Sequence, residues 1–262
     1  MTAFRIVFGV LYALFGACVF SFLGVVIDRM PAGRSIVKGR SHCDACGHVL
    51  SAGELIPIVS YLFLRGRCRH CGAKIPVRAL LLELLGGALF LGCAVLYGTS
   101  LYGVPLPTLR VFAVFAALSI LLVIGWIDQL TMEIPNGLVL ALLACAPLFV
   151  LLFEVPSLPA RLIGALCVSV PMLLLGLVIP NAFGGGDVKL MAAAGFLLGW
   201  KNCLLAMFLA IICGGTVACT LLLTHRVGRK DTIPFGPYLC LGVAVSLLAG
   251  DAILGWYFSL FF

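Results

Sequence analysis

Ile6-Val7-Phe8-Gly9-Val10-Leu11-Tyr12-Ala13-Leu14-Phe15-Gly16-Ala17-Cys18-Val19-Phe20-Ser21-Phe22-Leu23-Gly24-Val25-Val26-Ile27 runs 22 residues without a charge. At 1.5 Å per residue a helix of about 20 such residues crosses the hydrocarbon core of a bilayer. The stretch is long for a signal-peptide core, and no small-residue cleavage site follows it. It reads as a retained membrane helix. Similar stretches recur along all 262 residues, of which 63% are hydrophobic and 10% charged, with a mean hydropathy of +1.22. A soluble domain carries about 25% charged residues. Barrel-type alternation is absent, so the spans are helices. The fold class expected is an all-α polytopic membrane protein.

About eight transmembrane helices are expected, near 4–27, 79–98, 109–127, 137–154, 161–180, 188–200, 203–223 and 237–258. Pro171 and Pro180 should kink or end the fifth. With the N-terminus outside, loops 28–78, 128–136, 181–187 and 224–236 face the cytoplasm. That side then holds 13 of the 17 Lys and Arg, including Arg226, Arg229 and Lys230, and leaves Arg5, Arg110, Arg161 and Lys201 outside. This imbalance is what the positive-inside rule predicts. The net charge of +7 is therefore a topology signal, and no nucleic-acid partner is implied. Two regions are expected: residues 1–98, with two helices and the 28–78 loop, and residues 99–262, with six helices.

The 28–78 loop contains Cys43-Asp44-Ala45-Cys46-Gly47 and Cys68-Arg69-His70-Cys71-Gly72. Each pair followed by glycine matches a zinc knuckle, and four thiolates suit a closed, tetrahedral structural Zn2+ site. A loop of this length buries little core, so a metal would supply folding energy. Disulfides and redox CxxC pairs are the rival readings; a reducing compartment opposes the first, and the matched pairs the second. His42, His48 and His70 read as solvated neighbours rather than ligands. The remaining eight cysteines read as small apolar residues of helix packing.

Only ten acids are present. Asp128, in Trp126-Ile127-Asp128-Gln129-Leu130-Thr131-Met132-Glu133-Ile134-Pro135-Asn136, and Asp187, in Gly184-Gly185-Gly186-Asp187-Val188-Lys189-Leu190, fall at helix ends on the same side of the membrane. An acid near the bilayer centre costs about 2.5–3.5 kcal/mol on insertion scales, so such residues usually serve a function. Two adjacent carboxylates share a proton and form an acid/base couple. Gly184, Gly185 and Gly186 allow close backbone approach, by a substrate or by another helix, and conformations with φ > 0. The competing structural reading of this stretch is an interfacial turn with Asp187 as helix cap. Glu133 is a rival partner or a solvated acid. Lys189 either snorkels to the surface or contacts substrate, and Glu83 either pairs with a loop Arg or lines the substrate site.

Together these motifs resemble the type IV prepilin peptidases, the leader peptidase/N-methyltransferases. The resemblance rests on Ser21-Phe22-Leu23, Arg29-Met30-Pro31, both cysteine pairs and Ile56-Pro57-Ile58-Val59-Ser60-Tyr61-Leu62 with Arg65-Gly66-Arg67-Cys68. It continues through Asp128 with Ile134-Pro135-Asn136, Gly184 to Leu190, and Pro234-Phe235-Gly236-Pro237. It implies an intramembrane aspartic peptidase of the GxGD type with Asp128 and Asp187 as catalytic pair, sited in the bacterial inner membrane. The implied partners are prepilins or pseudopilins, cleaved after a Gly on the cytoplasmic side. It also implies N-methylation of the new terminus with S-adenosylmethionine, an activity linked to the cysteine loop. One departure is plain: the family commonly reads Gly-Ser-Phe-Leu-Asn where this chain has Phe20-Ser21-Phe22-Leu23-Gly24. A peptidase without methyl transfer, and a non-enzymatic scaffold or transporter with a zinc-ribbon loop, are the alternatives.

Overall fold

The structure, a computed structural model, describes residues 2–101, 104–179, 183–225, 228 and 232–260. Pro180 and the basic residues Arg226, Arg229 and Lys230 lie outside them. The chain forms two compact units, Met1–Phe115 and Ala116–Phe262. Among the described residues six helices are long and apolar enough to cross a membrane, and a shorter apolar segment covers Asn136–Leu152.

The first unit is built on α1 (Thr2–Arg29) and α3 (Val77–Tyr97), joined through the four-cysteine loop and a short helix, α2 (Val59–Phe63). The two long helices pack closely because small residues face each other. A Cβ on Gly16 would collide with the Gly86 backbone, and one on Gly87 would meet the Ala13 carbonyl at 2.8 Å. Such close approach favours association where no hydrophobic force separates helix from lipid. Phe20 and Phe90 are fully buried, and the Phe90 ring meets Phe15 at 4.6 Å and Phe115 at 5.0 Å. After α3 a two-stranded antiparallel hairpin pairs β1 (Thr99–Leu101) with β2 (Val104–Leu106), a minor β element in an otherwise helical chain.

The second unit holds most of α4 (Leu109–Thr131), then α5 (Asn136–Ala144), α6 (Ala146–Leu152), α7 (Leu158–Cys167), α8 (Ser169–Val178), α9 (Gly185–Leu223) and α10 (Gly236–Ser259). Two of the expected spans are broken, each by a proline. Proline lacks the N–H that would bond the carbonyl four residues back and its ring crowds that carbonyl. Pro171 accordingly stands four residues after Cys167, where α7 ends, and Pro147 four after Leu143, beside the end of α5.

Two expected helices, 188–200 and 203–223, are the limbs of α9. Gly199 interrupts them with φ 74° and ψ 169°, a conformation that suits glycine. A Cβ on Gly195 would lie 3.0 Å from Cys203 Sγ. In a straight helix eight residues span about 12 Å, so the chain folds back at Gly199. The second limb runs antiparallel to α10: Gly214 lies against Tyr238, Gly242 against Ala206, and Asn202 donates to Asp251 at 2.9 Å. Each of the eight expected segments thus has a counterpart, two as broken rods and two as limbs of one folded helix.

Candidate active site and candidate metal centre

Three segments of the second unit converge at one end of its helices. Ile134 lies against Gly186, Lys189 Nζ donates to Asn136 Oδ1 at 3.0 Å, Thr232 reaches Met132, and the Phe183 and Phe235 rings are 6.1 Å apart. Inside this convergence are Asp128, 5% exposed, and Asp187, 9% exposed. They interact electrostatically with each other and with the buried Cys240. The two carboxylates, 59 positions apart in sequence, therefore share one environment.

Each is held by a backbone donor. The Gly236 N–H donates to Asp128 Oδ2 at 3.0 Å, and the Gly184 N–H to Asp187 Oδ2 at 3.2 Å. Asp187 stands three residues into α9 from Gly184, so its carboxylate reaches back and caps the first turn. The cap reading does not exclude the other, since the carboxylate that caps the helix also interacts electrostatically with Asp128. Neither aspartate has an ion pair with a cation among the described residues.

The glycine triplet works differently from the conformational reading. None of Gly184, Gly185 and Gly186 has positive φ. The requirement is steric at Gly186, where a Cβ would come within 2.8 Å of Ile134 Cβ. Gly185 is exposed, with nothing within 4 Å of where a Cβ would be, so its backbone is open to approach. Glu133 is exposed. Lys189 is exposed and tied to Asn136. Glu83 belongs to the first unit, where its Oε2 accepts the Ile58 N–H at 2.7 Å.

Two residues gained roles that their sequence positions did not suggest. Gly236 belongs to Pro234-Phe235-Gly236-Pro237, but a backbone N–H carries no residue-type signal. A Cβ there would sit 2.6 Å from Asp128 Oδ2. Arg161, counted as an outer-loop charge, is 1% exposed. Its guanidinium donates to the carbonyls of Pro156, Phe149, Phe153, Phe196 and Leu197 at 2.8–3.4 Å. It closes the C-terminal ends of α6 and of the first limb of α9, whose last carbonyls lack helical partners.

In the first unit the two cysteine pairs form matching turns. The Gly47 N–H donates to the Cys43 carbonyl at 2.8 Å and the Gly72 N–H to the Cys68 carbonyl at 3.0 Å, and both glycines have φ near +70°. The sulfurs of Cys43, Cys46, Cys68 and Cys71 lie within 4.8 Å of one another, with Cys43 and Cys71 at 3.8 Å. Tetrahedral Zn–S bonds of about 2.3 Å separate sulfurs by about 3.8 Å, so the set fits a metal ion. Backbone N–H groups of Cys46 and Ala45 bring the Cys43 thiol down to about 7. The His48 N–H favours the Cys46 thiolate, but desolvation and the Cys71 and Cys43 sulfurs push that thiol up to about 11. The sulfurs thus compete for protons that a cation would displace. The His48 and His70 rings stack at 5.0 Å, outside the sulfur cluster.

Fold and site define a polytopic helical membrane protein with paired carboxylates in one unit and a four-thiol centre in the other. The model of the bacterial peptidase A24 N-terminal domain matches residues 14–97, and that of the type IV leader peptidase family matches residues 115–219. Relatives named prepilin leader peptidase/N-methyltransferase include one from Bacillus subtilis (strain 168), 30% identical over 94% of this chain and 96% of its own length. Another, from Myxococcus xanthus (strain DK1622), is 38% identical over 85% of this chain and 67% of its own, and one from Aeromonas hydrophila is 32% identical over 95% and 93%. No solved structure matches. The chain belongs to the type IV leader peptidase family, and is an enzyme of that class.

Proposed function

We propose that this protein cleaves the short basic leader from prepilins or pseudopilins after a Gly, using Asp128 and Asp187, and N-methylates the terminus so exposed. The observation that carries the cleavage reading is the meeting of two buried carboxylates that lack a counter-cation among the described residues. Such a pair holds one proton between them. The ionised member takes a proton from water as its oxygen attacks the scissile carbonyl carbon. The protonated member donates to the carbonyl oxygen, and the tetrahedral intermediate collapses as the C–N bond breaks and the leaving amine is protonated. The roles belong to the pair as a unit. Residues 99–262 carry this activity. The open backbone at Gly185, flanked by Gly184 and Gly186, receives the extended substrate, and Lys189 lies at its edge.

Methyl transfer is the reading carried by the relatives' shared name. S-adenosylmethionine supplies the methyl group: a new N–C bond forms as the S–C bond breaks, and a proton leaves the nitrogen. Cys43, Cys46, Cys68 and Cys71 hold a structural Zn2+ that folds the loop between α1 and α3. The protein lies in the inner membrane with its cysteine loop and aspartates on the cytoplasmic side, an orientation supported by the placement of its basic residues.

Asp128→Asn and Asp187→Asn should each abolish leader cleavage of a purified prepilin while leaving the melting temperature near the parent's. Near-normal cleavage by either variant removes the dyad. Mass spectrometry of the cleaved product decides methylation; an unmodified amine in the presence of methyl donor leaves a peptidase alone, the reading that the Gly24 departure favours.

A further inference from the structure

The first unit contains a cavity of about 340 Å³, within the size range of small-molecule sites. Its wall is assembled from segments far apart in sequence: Ser21 from α1, Glu54 from the turn after the first knuckle, Tyr61 from α2, Arg69 from the second knuckle, and Ala79 and Glu83 from α3. Ser21, Tyr61 and Arg69 come from motifs that the aspartate pair leaves without a role. The cleft is more than a gap between elements, because its acids are positioned. The Glu54 side chain is 7% exposed, and its Oε2 accepts the Ser51 N–H at 2.9 Å and the Ser51 hydroxyl at 2.6 Å. The Ser51 hydroxyl and N–H bonds hold the Glu54 carboxyl below the usual carboxylate range, so it is ionised.

Glu83 is held by a strained backbone. Ile58, whose N–H it accepts, has φ 63° and ψ −52°, an unfavourable region for a β-branched residue. Strain of this kind persists only where the surroundings impose it, and it clusters at functional sites. Among the described residues, Oε1 of Glu83 and Oε1 of Glu54 make no hydrogen bond.

We infer that this cavity is the methyl-donor pocket, with Glu83 and Glu54 facing the cationic and hydroxyl-bearing parts of S-adenosylmethionine. The inference rests on the methyl-transfer reading above. The donor carries a sulfonium, an ammonium, a carboxylate, ribose hydroxyls and a flat heteroaromatic base. The wall offers a matching set: carboxylates for the cations and hydroxyls, Arg69 for the carboxylate, and the Tyr61 ring beside apolar surface for the base. Acidic and basic side chains share this wall, Asp44, Glu54 and Glu83 with Arg69 and Lys74, which suits a ligand that carries both signs of charge. They also give the four-cysteine centre a reason to exist, since the pocket wall includes Cys43 and Cys68.

The test is equilibrium binding of tritiated S-adenosylmethionine and of S-adenosylhomocysteine to the full chain in nanodiscs, with mass spectrometry of a cleaved prepilin in parallel. The expected results are one site per chain in the parent, roughly tenfold weaker binding of S-adenosylmethionine by Glu83→Gln, and loss of binding by Ala79→Phe, which fills the cavity. Melting temperature and metal content verify that each variant is folded; Glu54→Gln serves if Glu83→Gln is not. Folded variants that bind like the parent, while the product is still methylated, overturn the pocket and leave methyl transfer standing. A parent that binds no donor and yields only unmethylated product overturns the methyl-transfer reading itself.

Discussion

Asp128 depends on an atom that belongs to no side chain. The Gly236 N–H orients its carboxylate, and the same glycine leaves no room beside it, because a Cβ would come within 2.8 Å of Asp128 Cγ. Gly236→Ala must therefore displace the carboxylate or the start of α10. A misplacement of about 1 Å can cost a reaction about 100-fold, so the variant should lose leader cleavage by roughly that factor with little loss of folding. A cleavage assay run beside Gly137→Ala, whose Cβ would meet nothing within 4 Å, separates this effect from glycine loss in general. Cleavage by Gly236→Ala at the parent's rate would show that Asp128 needs no fixed orientation. At this scale the carboxylates were legible in the sequence because an acid at a membrane helix end is conspicuous. Their donors were not, because any residue but proline has an N–H, and only the fold shows which one points at an acid.

Helices were legible as apolar runs, and their interruptions were legible only in part. Pro171 marks a break because a proline's missing donor and its ring act on the chain within four residues. Gly199 gave no comparable sign among 30 glycines, yet it reverses the chain. Arg161 illustrates the opposite failure: a charge near an apolar segment looks like a loop residue, whereas here it secures the reversal from inside. Its fork meets carbonyls of α6, of the α6–α7 connection and of the first α9 limb at once. Lysine offers a single ammonium and no planar fork, so Arg161→Lys should not rescue what Arg161→Ala loses. Removing a buried charged donor strands its acceptors at about 1–3 kcal/mol each, so both variants should melt well below the parent in detergent. An unchanged melting temperature for Arg161→Ala would mean that water satisfies those carbonyls and that the clamp is incidental.

The molecule divides into two units, each with its own interior: the Phe20 and Phe90 cluster in one, and the small-residue packing of α7, α9 and α10 in the other. The division explains why the two chemistries read so differently from sequence. The second unit announces itself through acids in an apolar setting. The pocket of the first unit is made by Ser21, Glu54, Tyr61 and Glu83, ordinary residues whose convergence depends on a loop that folds around four thiols. That loop contributes little buried apolar surface: Val37, Val49, Leu55, Ile56, Leu62 and Phe63 are all exposed. Its order must come from elsewhere. Arg29 supplies some, donating to the carbonyls of Ser35, Lys38, Gly39 and Arg40 at 3.1–3.4 Å. A metal held by the four cysteines, as proposed above, would supply the rest, since structural zinc contributes folding energy outright. Stripping the metal with a strong chelator, or replacing Cys43 with serine, should therefore abolish methyl-donor binding and N-methylation while leader cleavage continues at a rate near the parent's. Metal analysis, donor binding and cleavage measured on the same preparation check this together. Loss of all activities in step would show that the peptidase unit needs the metal-folded loop as well, and full methylation by metal-free protein would show that the loop holds its shape without it.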